Sequence, residues 1–447
     1  MSFESVVADV RSRVVPKEAE VEELEAAVAD LTARARAAID DLPVDAETKL
    51  VGSTARGTWL SGDRDIDLFV LFSPDLDRRD LERYGLEVGH AVLPTGHEEY
   101  AEHPYVKGEH RGFDVDCVPC YAVERASDIQ SAVDRTPFHT AYLEERIEPL
   151  TDDVRIGKAF LSGIGVYGSD LRTKGFSGFL TELLVLEYGG FEPFITAAAE
   201  WSPPVRFDPE GHGERQFDDP LVVIDPTDPE RNVAAVCSTR NVARLIHYAR
   251  ELSATPRIEL FEEADPEPLS ADELRGIVEE RGTTPVAIRF ETPAIVDDQL
   301  YPQLEKSLTG VEGALDRAGF SPLRSTCFAA DEAVLLVECS VSKLSAVTQH
   351  EGPPVGVREH AERFYEAYDT SGVTGPFIND EGRYVIEQRR PERTPAELIE
   401  RELFEISLGP HIESALKEEY EILAGTEISR VAAQFGAELA AYFDPEP

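Results

Sequence analysis

Lysine and long uncharged stretches are both scarce in this chain of 447 residues. Only eight of its 43 basic residues are lysine. No segment approaches the roughly 18 consecutive apolar residues that a membrane-spanning helix needs. The N-terminal residues also lack the basic start and the apolar stretch of a signal peptide. We therefore expect a cytoplasmic protein without a membrane anchor.

Basic residues are outnumbered: 87 Asp and Glu against 43 Lys and Arg give a formal net charge of -44. The acids are spread along the whole chain, and a hydrophobic content of 42% argues against disorder. A folded protein with such an acidic surface repels itself in dilute buffer, whereas at molar salt the Debye length falls to about 3 Å. The composition therefore indicates a salt-accumulating halophile.

Cysteine is present five times, an odd number that favours thiols in a reducing compartment over a disulfide scaffold. The closest pair is Cys117-Val-Pro-Cys120. A redox or zinc site would need a helix start after the first Cys or a second ligand pair, and the sequence has neither. We do not expect such a site here.

The length exceeds that of one compact core and favours several domains. Residues 1–153 combine an amphipathic helix at 17–42 with apolar strands, which indicates a mixed sheet with helices. Residues 154–268 have a mostly helical pattern, and residues 269–447 mix strands and helices. We predict an α+β multidomain protein made of these three domains.

Two acids open a strongly apolar run. Asp65 and Asp67 lead into a strand at 66–72, and residues two apart on a strand face the same way. Two parallel carboxylates suit Mg²⁺, which is commonly held by one or two carboxylates and the phosphates of a substrate. The alternative is a solvated strand edge, because acids make up nearly one residue in five.

A phosphate-binding segment precedes the two acids. Gly52-Ser53 follows a strand that ends at Val51, and Arg56 comes one helical turn later. A helix start with free N–H groups, a hydroxyl and a guanidinium suits phosphate oxygens. No Gly-x-x-x-x-Gly-Lys-Ser/Thr motif is present, which excludes a Walker-type site.

A third acid is needed if the reaction is an in-line attack by a hydroxyl, because a second metal ion or a base must deprotonate the attacking oxygen. Asp114 and Asp116 repeat the alternation on a later strand at 112–121. The residues alone leave both acids as candidates.

Together, Gly52-Ser53 and Asp65-Ile-Asp67 resemble the signature of the DNA polymerase β-like nucleotidyltransferases. Three further segments are similar to the archaeal (class I) CCA-adding enzymes, which are tRNA nucleotidyltransferases: Val51–Leu60, Asp116–Tyr121 and Arg135–Thr140. Matches at Gly175–Leu184 and Asp225–Ala235 extend the resemblance over about two hundred residues.

The resemblance implies a polymerase β-like nucleotidyltransferase domain at 1–153, a helical middle domain and an α+β body and tail. It also implies an enzyme that builds the 3′-terminal CCA of tRNA from CTP and ATP without a template. Mg²⁺ would be held by Asp65, Asp67 and Asp116, with Asp116 helping to activate the tRNA 3′ hydroxyl and Asp114 only a neighbour. The family further suggests a homodimer.

By the same motif matching, five residues would bind the nucleotide: Ser53, Arg56, His139, Lys158 and Tyr167. Thr136 and Arg231 match positions close to the incoming base or the tRNA backbone. The segment Phe176–Leu184 we interpret as helix core without a catalytic role.

Simpler interpretations of the nucleotide and base residues remain open. Lys158 would then be a surface cation pairing with Asp152 or Asp153, and His139 a surface residue in a turn. Tyr167 would be a core aromatic with a solvated hydroxyl, and Arg231 would be balanced by acids of its own turn.

The charge is an argument against RNA binding, since nucleic-acid affinity ordinarily depends on Lys and Arg. In molar salt that contribution is weak for any protein, and recognition rests on shape, stacking and a few placed Arg. Two alternatives remain at this point: a related transferase with a non-tRNA acceptor, and a catalytically inactive nucleotide- or RNA-binding module.

Overall fold

The computed structural model describes residues 1–100 and 102–447, which divide into two compact units. The first unit covers residues 1–264 together with residue 447, and the second covers residues 265–446. The boundary that we predicted between residues 153 and 154 lies inside the first unit and stays a prediction.

A five-stranded sheet forms the first part of the first unit. Its helices are α1 (Phe3–Val14), α2 (Glu18–Asp40), α3 (Gly52–Arg56) and α4 (Arg78–Val92). Its strands are β1 (Ala46–Val51), β2 (Asp65–Phe72), β3 (His97–Tyr100), β4 (Pro104–His110) and β5 (Phe113–Tyr121). The strand order is β1-β2-β5-β4-β3, with β2 and β5 parallel and the other neighbours antiparallel. The predicted mixed sheet is therefore confirmed.

The alternation of side chains along β2 decides which face of the sheet packs into the core and which face carries the acidic residues. Every second residue of β2 packs into a core with α2 and α4, and these buried residues are Ile66, Leu68, Val70 and Phe72. Burying such a side chain is worth about 1.5–3 kcal/mol, so a slip of one residue, which would expose all four, is strongly disfavoured. The same register keeps Asp65 and Asp67 on the opposite face.

The second part of the first unit is helical, as predicted. It consists of α5 (Thr136–Ile147), α6 (Thr151–Gly163), α7 (Gly178–Tyr188), α8 (Phe191–Ala198) and α9 (Thr239–Ala254). Val6 and Val10 of α1 belong to its core rather than to the sheet core. The Pro-rich connector also contains a small sheet that we did not predict, with strands β6 (Val205–Phe207), β7 (Leu221–Asp225) and β8 (Asp228–Asn232).

The second unit is built on a four-stranded antiparallel sheet with helices on both faces. In chain order its elements are α10 (Ala271–Arg281), β9 (Thr284–Glu291), α11 (Asp297–Ala318), β10 (Pro322–Ala329), β11 (Glu332–Cys339), β12 (Val347–Pro354), α12 (Arg358–Tyr368), β13 (Thr374–Ile378), β14 (Arg383–Arg389), α13 (Pro395–Glu402), α14 (Pro410–Glu418), β15 (Glu421–Ala424) and α15 (Ala432–Phe443). The main sheet has the order β10-β11-β9-β15, and a second sheet has the order β12-β14-β13. Alternate residues of β9 and β11 pack against α11, α13 and α14 on one face and against α10 and α15 on the other.

Among the described residues, no helix has the length and apolar character needed to cross a membrane. Cys117 and Cys120 are both buried, but Cys117 belongs to the core beneath α2 and α4 while Cys120 packs with Val51 and Phe69. Because they pack into different cores, they do not form one metal or redox site.

Candidate active site

Four carboxylates lie on one face of β2 and β5. The two strands are parallel and in register, so that Asp67 is opposite Asp116 and Asp65 is opposite Asp114. Asp114 is exposed at the strand entrance, whereas Asp67 and Asp116 are partly buried. The three predicted metal ligands, Asp65, Asp67 and Asp116, therefore lie on one sheet face, on two adjacent strands.

The turn that follows β1 packs directly against this group. Gly52 has a φ of +75°, and a Cβ atom at this position would lie 2.1 Å from Asp67 Oδ2. Glycine is required here both for the backbone conformation and for the close approach of the carboxylate. Ser53, the next residue, is the second residue of α3 and is partly exposed.

Burial, with a smaller contribution from neighbouring charges, disfavours ionisation of these carboxylates. Burial, followed by the charges of Asp116 and Asp65, raises the pKa of Asp67 to about 6, against the opposing effect of Arg56. Burial also raises the pKa of Asp116, although Lys107 opposes the shift. For Asp65, burial and then the charge of Asp63 raise the pKa. A bound cation would relieve all three penalties.

The carboxylates fit a divalent ion that a substrate helps to hold. Within residues 1–100 and 102–447, no three His, Cys, Asp or Glu side chains are grouped closely enough to hold a metal ion by themselves. Asp116 Oδ1 is nevertheless buried and accepts no hydrogen bond from any described residue. An unsatisfied carboxylate oxygen in a like-charged cluster suits Mg²⁺, which usually takes one or two protein carboxylates and completes its shell with phosphates and water.

The Arg56 guanidinium is buried and already paired. Arg56 Nη2 lies 2.8 Å from Glu182 Oε2, and Nε donates to the same oxygen at 2.9 Å. Arg56 Nη1 also donates to Thr140 Oγ1 at 3.2 Å. A single carboxylate of α7 thus fixes the residue that we had assigned to the triphosphate.

Lys158 belongs to the same buried network. Its ammonium donates to the Thr58 carbonyl at 2.9 Å and lies 3.9 Å from Glu182 Oε1. Thr58 Oγ1 donates a short hydrogen bond to Glu182. Burial lowers the pKa of Lys158, and the Glu182 charge opposes that shift.

The simpler interpretation of Lys158 as a surface cation is therefore wrong. Asp152 pairs with Arg155, and Asp153 accepts a hydrogen bond from the Phe191 backbone N–H. Tyr167 is near Lys158, because a Cβ atom at Gly178 would lie 3.1 Å from the Tyr167 hydroxyl and 3.8 Å from Lys158 Nζ.

His139 lies on α5, not in a turn, and stacks on an aromatic ring. Its ring is 3.8 Å from that of Phe179, with an interplanar angle of 13°. His139 Nε2 lies 2.8 Å from Asp225 Oδ2, and Arg231 Nη1 lies 2.7 Å from the same oxygen. Arg231 is thus balanced by an acid of its own turn, as the simpler interpretation of that residue predicted.

Asp225 is the fully buried centre of this second network. Burial would raise the pKa of its carboxyl, but hydrogen bonds from His139 and Thr227 hold it below its ordinary value. Burial lowers the pKa of His139, against the pull of Asp225.

A pocket of about 640 Å³ opens beside the His139–Phe179 stack. Three arginines and two phenylalanines are among its lining residues: Arg135, Arg215, Arg231, Phe179 and Phe217. Thr136 is the first residue of α5, three positions before His139. Aromatic faces next to guanidinium groups suit a nucleobase and a phosphate.

Sequence reasoning missed Glu182, Phe179 and Lys107, and it gave Asp225 only the role of balancing Arg231. Glu182 is fully buried in α7, a segment that we assigned to helix core without a chemical role. An acid inside so apolar a helix was the available signal, because buried carboxylates are rarely left without a cationic partner. Asp225, at the end of the fully buried strand β7, offered the same signal.

Family models match three parts of the chain. Residues 33–139 match the model described as a nucleotidyltransferase domain, and residues 152–262 match the second domain of tRNA nucleotidyltransferases. Residues 281–425 match the C-terminal domain of CCA-adding enzymes. The mixed sheet with its carboxylates and these matches define the protein as a nucleotidyltransferase.

Relatives extend over the whole chain. A CCA-adding enzyme of Haloarcula marismortui is 57% identical and covers 100% of this chain and 99% of its own length. CCA-adding enzymes of Halorubrum lacusprofundi and Halobacterium salinarum are 55% and 54% identical, covering 100% and 99% of this chain and 99% of their own lengths. The chain belongs to the family of CCA-adding enzymes. The predicted fold class and enzyme class are thereby confirmed.

Proposed function

We propose that this chain adds the 3′-terminal CCA to tRNA from CTP and ATP without a nucleic-acid template. The observation that carries the proposal is the set of carboxylates on adjacent parallel strands, with Asp67 pressed against Gly52 and Asp116 Oδ1 unsatisfied. Family membership supports the choice of substrates. The tRNA 3′ hydroxyl would attack the α-phosphate and release pyrophosphate.

The catalytic roles follow from where each carboxylate lies. Asp65, Asp67 and Asp116 would hold Mg²⁺, which when bound neutralises phosphate charge and acidifies the attacking hydroxyl. Asp116 lies on β5, which is separated from β1 by β2, and we assign it to the acceptor hydroxyl, as the family resemblance implies. Ser53, next to Gly52, is assigned to the phosphates.

The two cations around Glu182 have a different role from the one motif matching suggests. Because Arg56 is hydrogen-bonded to Glu182 and Thr140, and Lys158 to Thr58, both are held in place before any nucleotide arrives. They would supply a fixed positive potential for the triphosphate. Tyr167 lies beside Lys158 and would contact the nucleotide from that side.

Recognition of the base is assigned to the pocket beside α5. His139 and Phe179 provide a stacked pair, and Arg231 lines the same pocket. Arg231 and Thr136, the first residue of α5, would contact the base or the tRNA backbone. The pairing of Arg231 with Asp225 fixes its guanidinium, and the side chain remains 36% exposed. That exposure leaves donors available to RNA.

The decisive experiment uses tRNA truncated at each of the three end positions, with Mg²⁺ and labelled CTP or ATP in molar KCl. We expect labelled C on tRNA lacking all of CCA or only CA, and labelled A on tRNA lacking A. No transfer to any of the three tRNAs would contradict the proposal and favour a different acceptor. Transfer of A alone would restrict the proposed activity to repair of the last position of the tRNA.

The metal assignment has its own test. Asp65→Ala or Asp67→Ala should abolish transfer while leaving the fold intact, as judged by circular dichroism. Retained turnover in either variant would exclude this metal mechanism. We also propose, from family membership, a cytoplasmic homodimer; light scattering in molar KCl tests the oligomeric state.

A further inference from the structure

Lys107 is the cation nearest to the unsatisfied carboxylate oxygen. It lies on β4 directly opposite Asp116 of β5, and its Nζ is 3.6 Å from Asp116 Oδ1. That separation is an ion-pair distance and is too long for a good hydrogen bond. The ammonium is therefore beside Oδ1 without satisfying it.

The surroundings of Lys107 leave Asp116 as its main partner. Glu99 on β3 and Asp114 on β5 are further acids near it, and its charge also reaches Asp65 and Asp67. Of these, Glu99 accepts a hydrogen bond from the Tyr105 hydroxyl at 2.8 Å and contacts His97 at 3.2 Å. The Lys107 side chain is 39% exposed, so its flexible stem can carry the ammonium into solvent.

The choice of residue type is informative. Basic positions in this chain are mostly arginine, and only eight are lysine. An arginine opposite Asp116 would hold the carboxylate with two hydrogen bonds and would be difficult to displace. A lysine neutralises the same carboxylate with a point charge that can withdraw.

We propose that Lys107 is a positioning residue of the metal site. Its ammonium acts as the counter-cation of Asp116 when no divalent ion is bound, and it gives up Oδ1 to the ion that binds. The inference rests on the metal site of the proposed function. Lys107 thus weakens the repulsion between Asp67 and Asp116, which lie opposite each other on adjacent strands.

Opposite changes in metal affinity follow from this role. Lys107→Met leaves the carboxylates without a counter-charge, so divalent ions should bind about threefold to tenfold more tightly. Lys107→Arg should weaken binding by about threefold, because the guanidinium holds the carboxylate in two hydrogen bonds. A residue with a purely structural role would not produce changes of opposite sign.

The experiment titrates the full-length protein with Mn²⁺ in molar KCl, without nucleotide, and follows free Mn²⁺ by electron paramagnetic resonance. Asp116→Asn defines the non-specific background that an acidic surface contributes. Lys417→Met is the matched control, because it removes the same charge from a surface pair with Glu413 in the second unit. The Michaelis constant for CTP is measured on the same variants.

The outcomes separate this inference from the function on which it rests. Tighter Mn²⁺ binding by Lys107→Met, with wild-type affinity in Lys417→Met, supports it. Unchanged or weaker Mn²⁺ binding by Lys107→Met overturns the inference about Lys107 but leaves the metal site in place. A raised Michaelis constant for CTP without a change in Mn²⁺ affinity also overturns it, and would assign Lys107 to the triphosphate. Identical binding by wild type and Asp116→Asn would overturn the metal site and this inference together.

Discussion

Arg56 and Glu182 form a buried ion pair in which Nη2 and Oε2 are 2.8 Å apart and the side chains are 6% and 0% exposed. The pair joins α3, which follows the first strand of the sheet, to α7 of the helical part. A charge buried this deeply is costly without its partner, because neither ion can recover its hydration. The position of the positive charge beside Asp67 therefore depends on an acid 126 residues further along the chain.

Removal of Glu182 should strongly destabilise the protein. Glu182→Ala leaves Arg56 and Lys158 buried without a carboxylate, and we expect the free energy of unfolding to fall by about 3–5 kcal/mol. Thermal unfolding in molar KCl measures the change. Glu262→Gln is the control, because its pair with Arg13 is about half exposed and should contribute little to stability. Equal losses in the two variants would contradict a special role for Glu182.

Asp67 should reduce the stability of the protein at neutral pH. Its pKa is raised from 3.8 to about 6, so the folded state binds the proton more tightly than the unfolded state does. Ionisation therefore penalises folding, and the penalty grows from the unfolded pKa upward and is complete above about pH 6, where it reaches roughly 3 kcal/mol. Removing the charge should relieve it.

Asp67→Asn should accordingly raise the melting temperature of the protein without metal or nucleotide while abolishing nucleotide transfer. The gain over wild type should shrink as the pH falls from about 8 to about 5, because Asp67 then becomes protonated in the wild type as well. Asp114→Asn is the control on the same sheet face, since Asp114 is exposed. A gain that does not depend on pH would have another origin.

The alternation of apolar and acidic residues was sufficient to predict the strand that contains Asp65 and Asp67, but not which strands pair with it. Alternation requires these two acids to share a face, and the buried residues of β2 confirm it. The residues alone left Asp114 and Asp116 as equal candidates, and only the family resemblance selected Asp116; the parallel pairing of β2 with β5 joins segments about fifty residues apart. The structure distinguishes them by burial, since Asp116 has an unsatisfied oxygen and Asp114 is exposed.

The chemistry around Arg56 and His139 was beyond sequence reasoning for a similar reason. Both residues were identified by motif, but their partners Glu182 and Asp225 come from α7 and β7, which are distant in sequence. The small sheet that contains Asp225 was missed because the prolines around it suggest an irregular connector. Non-local pairing there overrides local preference.

Gly52 should be indispensable for activity rather than for folding. A Cβ atom at Gly52 would lie 2.1 Å from Asp67 Oδ2, so Gly52→Ala must displace the carboxylate. Gly57→Ala is a matched control, because Gly57 has a φ of +66° and its nearest neighbour would be 4.0 Å from the new methyl group. Both variants should lose about 1–2 kcal/mol to backbone strain.

Only Gly52→Ala should then lose nucleotide transfer, by about a hundredfold or more, because a shift of roughly 1 Å at a catalytic group has effects of that size. Transfer assays with both variants, corrected for the folded fraction, measure the difference. Comparable losses of activity in the two variants would mean that strain in the turn, and not the position of Asp67, decides catalysis.

Binding of tRNA should depend weakly on salt, in contrast to most nucleic-acid complexes. The slope of log affinity against log salt reflects the number of phosphates neutralised by Lys and Arg. In this chain many arginines are already paired with acids, including Arg56, Arg155 and Arg231. We expect a slope of magnitude about 2 or less, measured by fluorescence titration of labelled tRNA across molar KCl concentrations.

Arg231→Met tests which part of that binding is specific. Arg231 lines the pocket beside His139 and keeps about a third of its surface exposed. Its loss should therefore weaken productive binding of tRNA and nucleotide, while the slope of log affinity against log salt stays nearly unchanged. A slope of about 6 in the wild type would instead indicate a dense set of phosphate contacts. Such contacts would have to come from arginines outside this pocket, and recognition would then rest on charge even in this acidic protein.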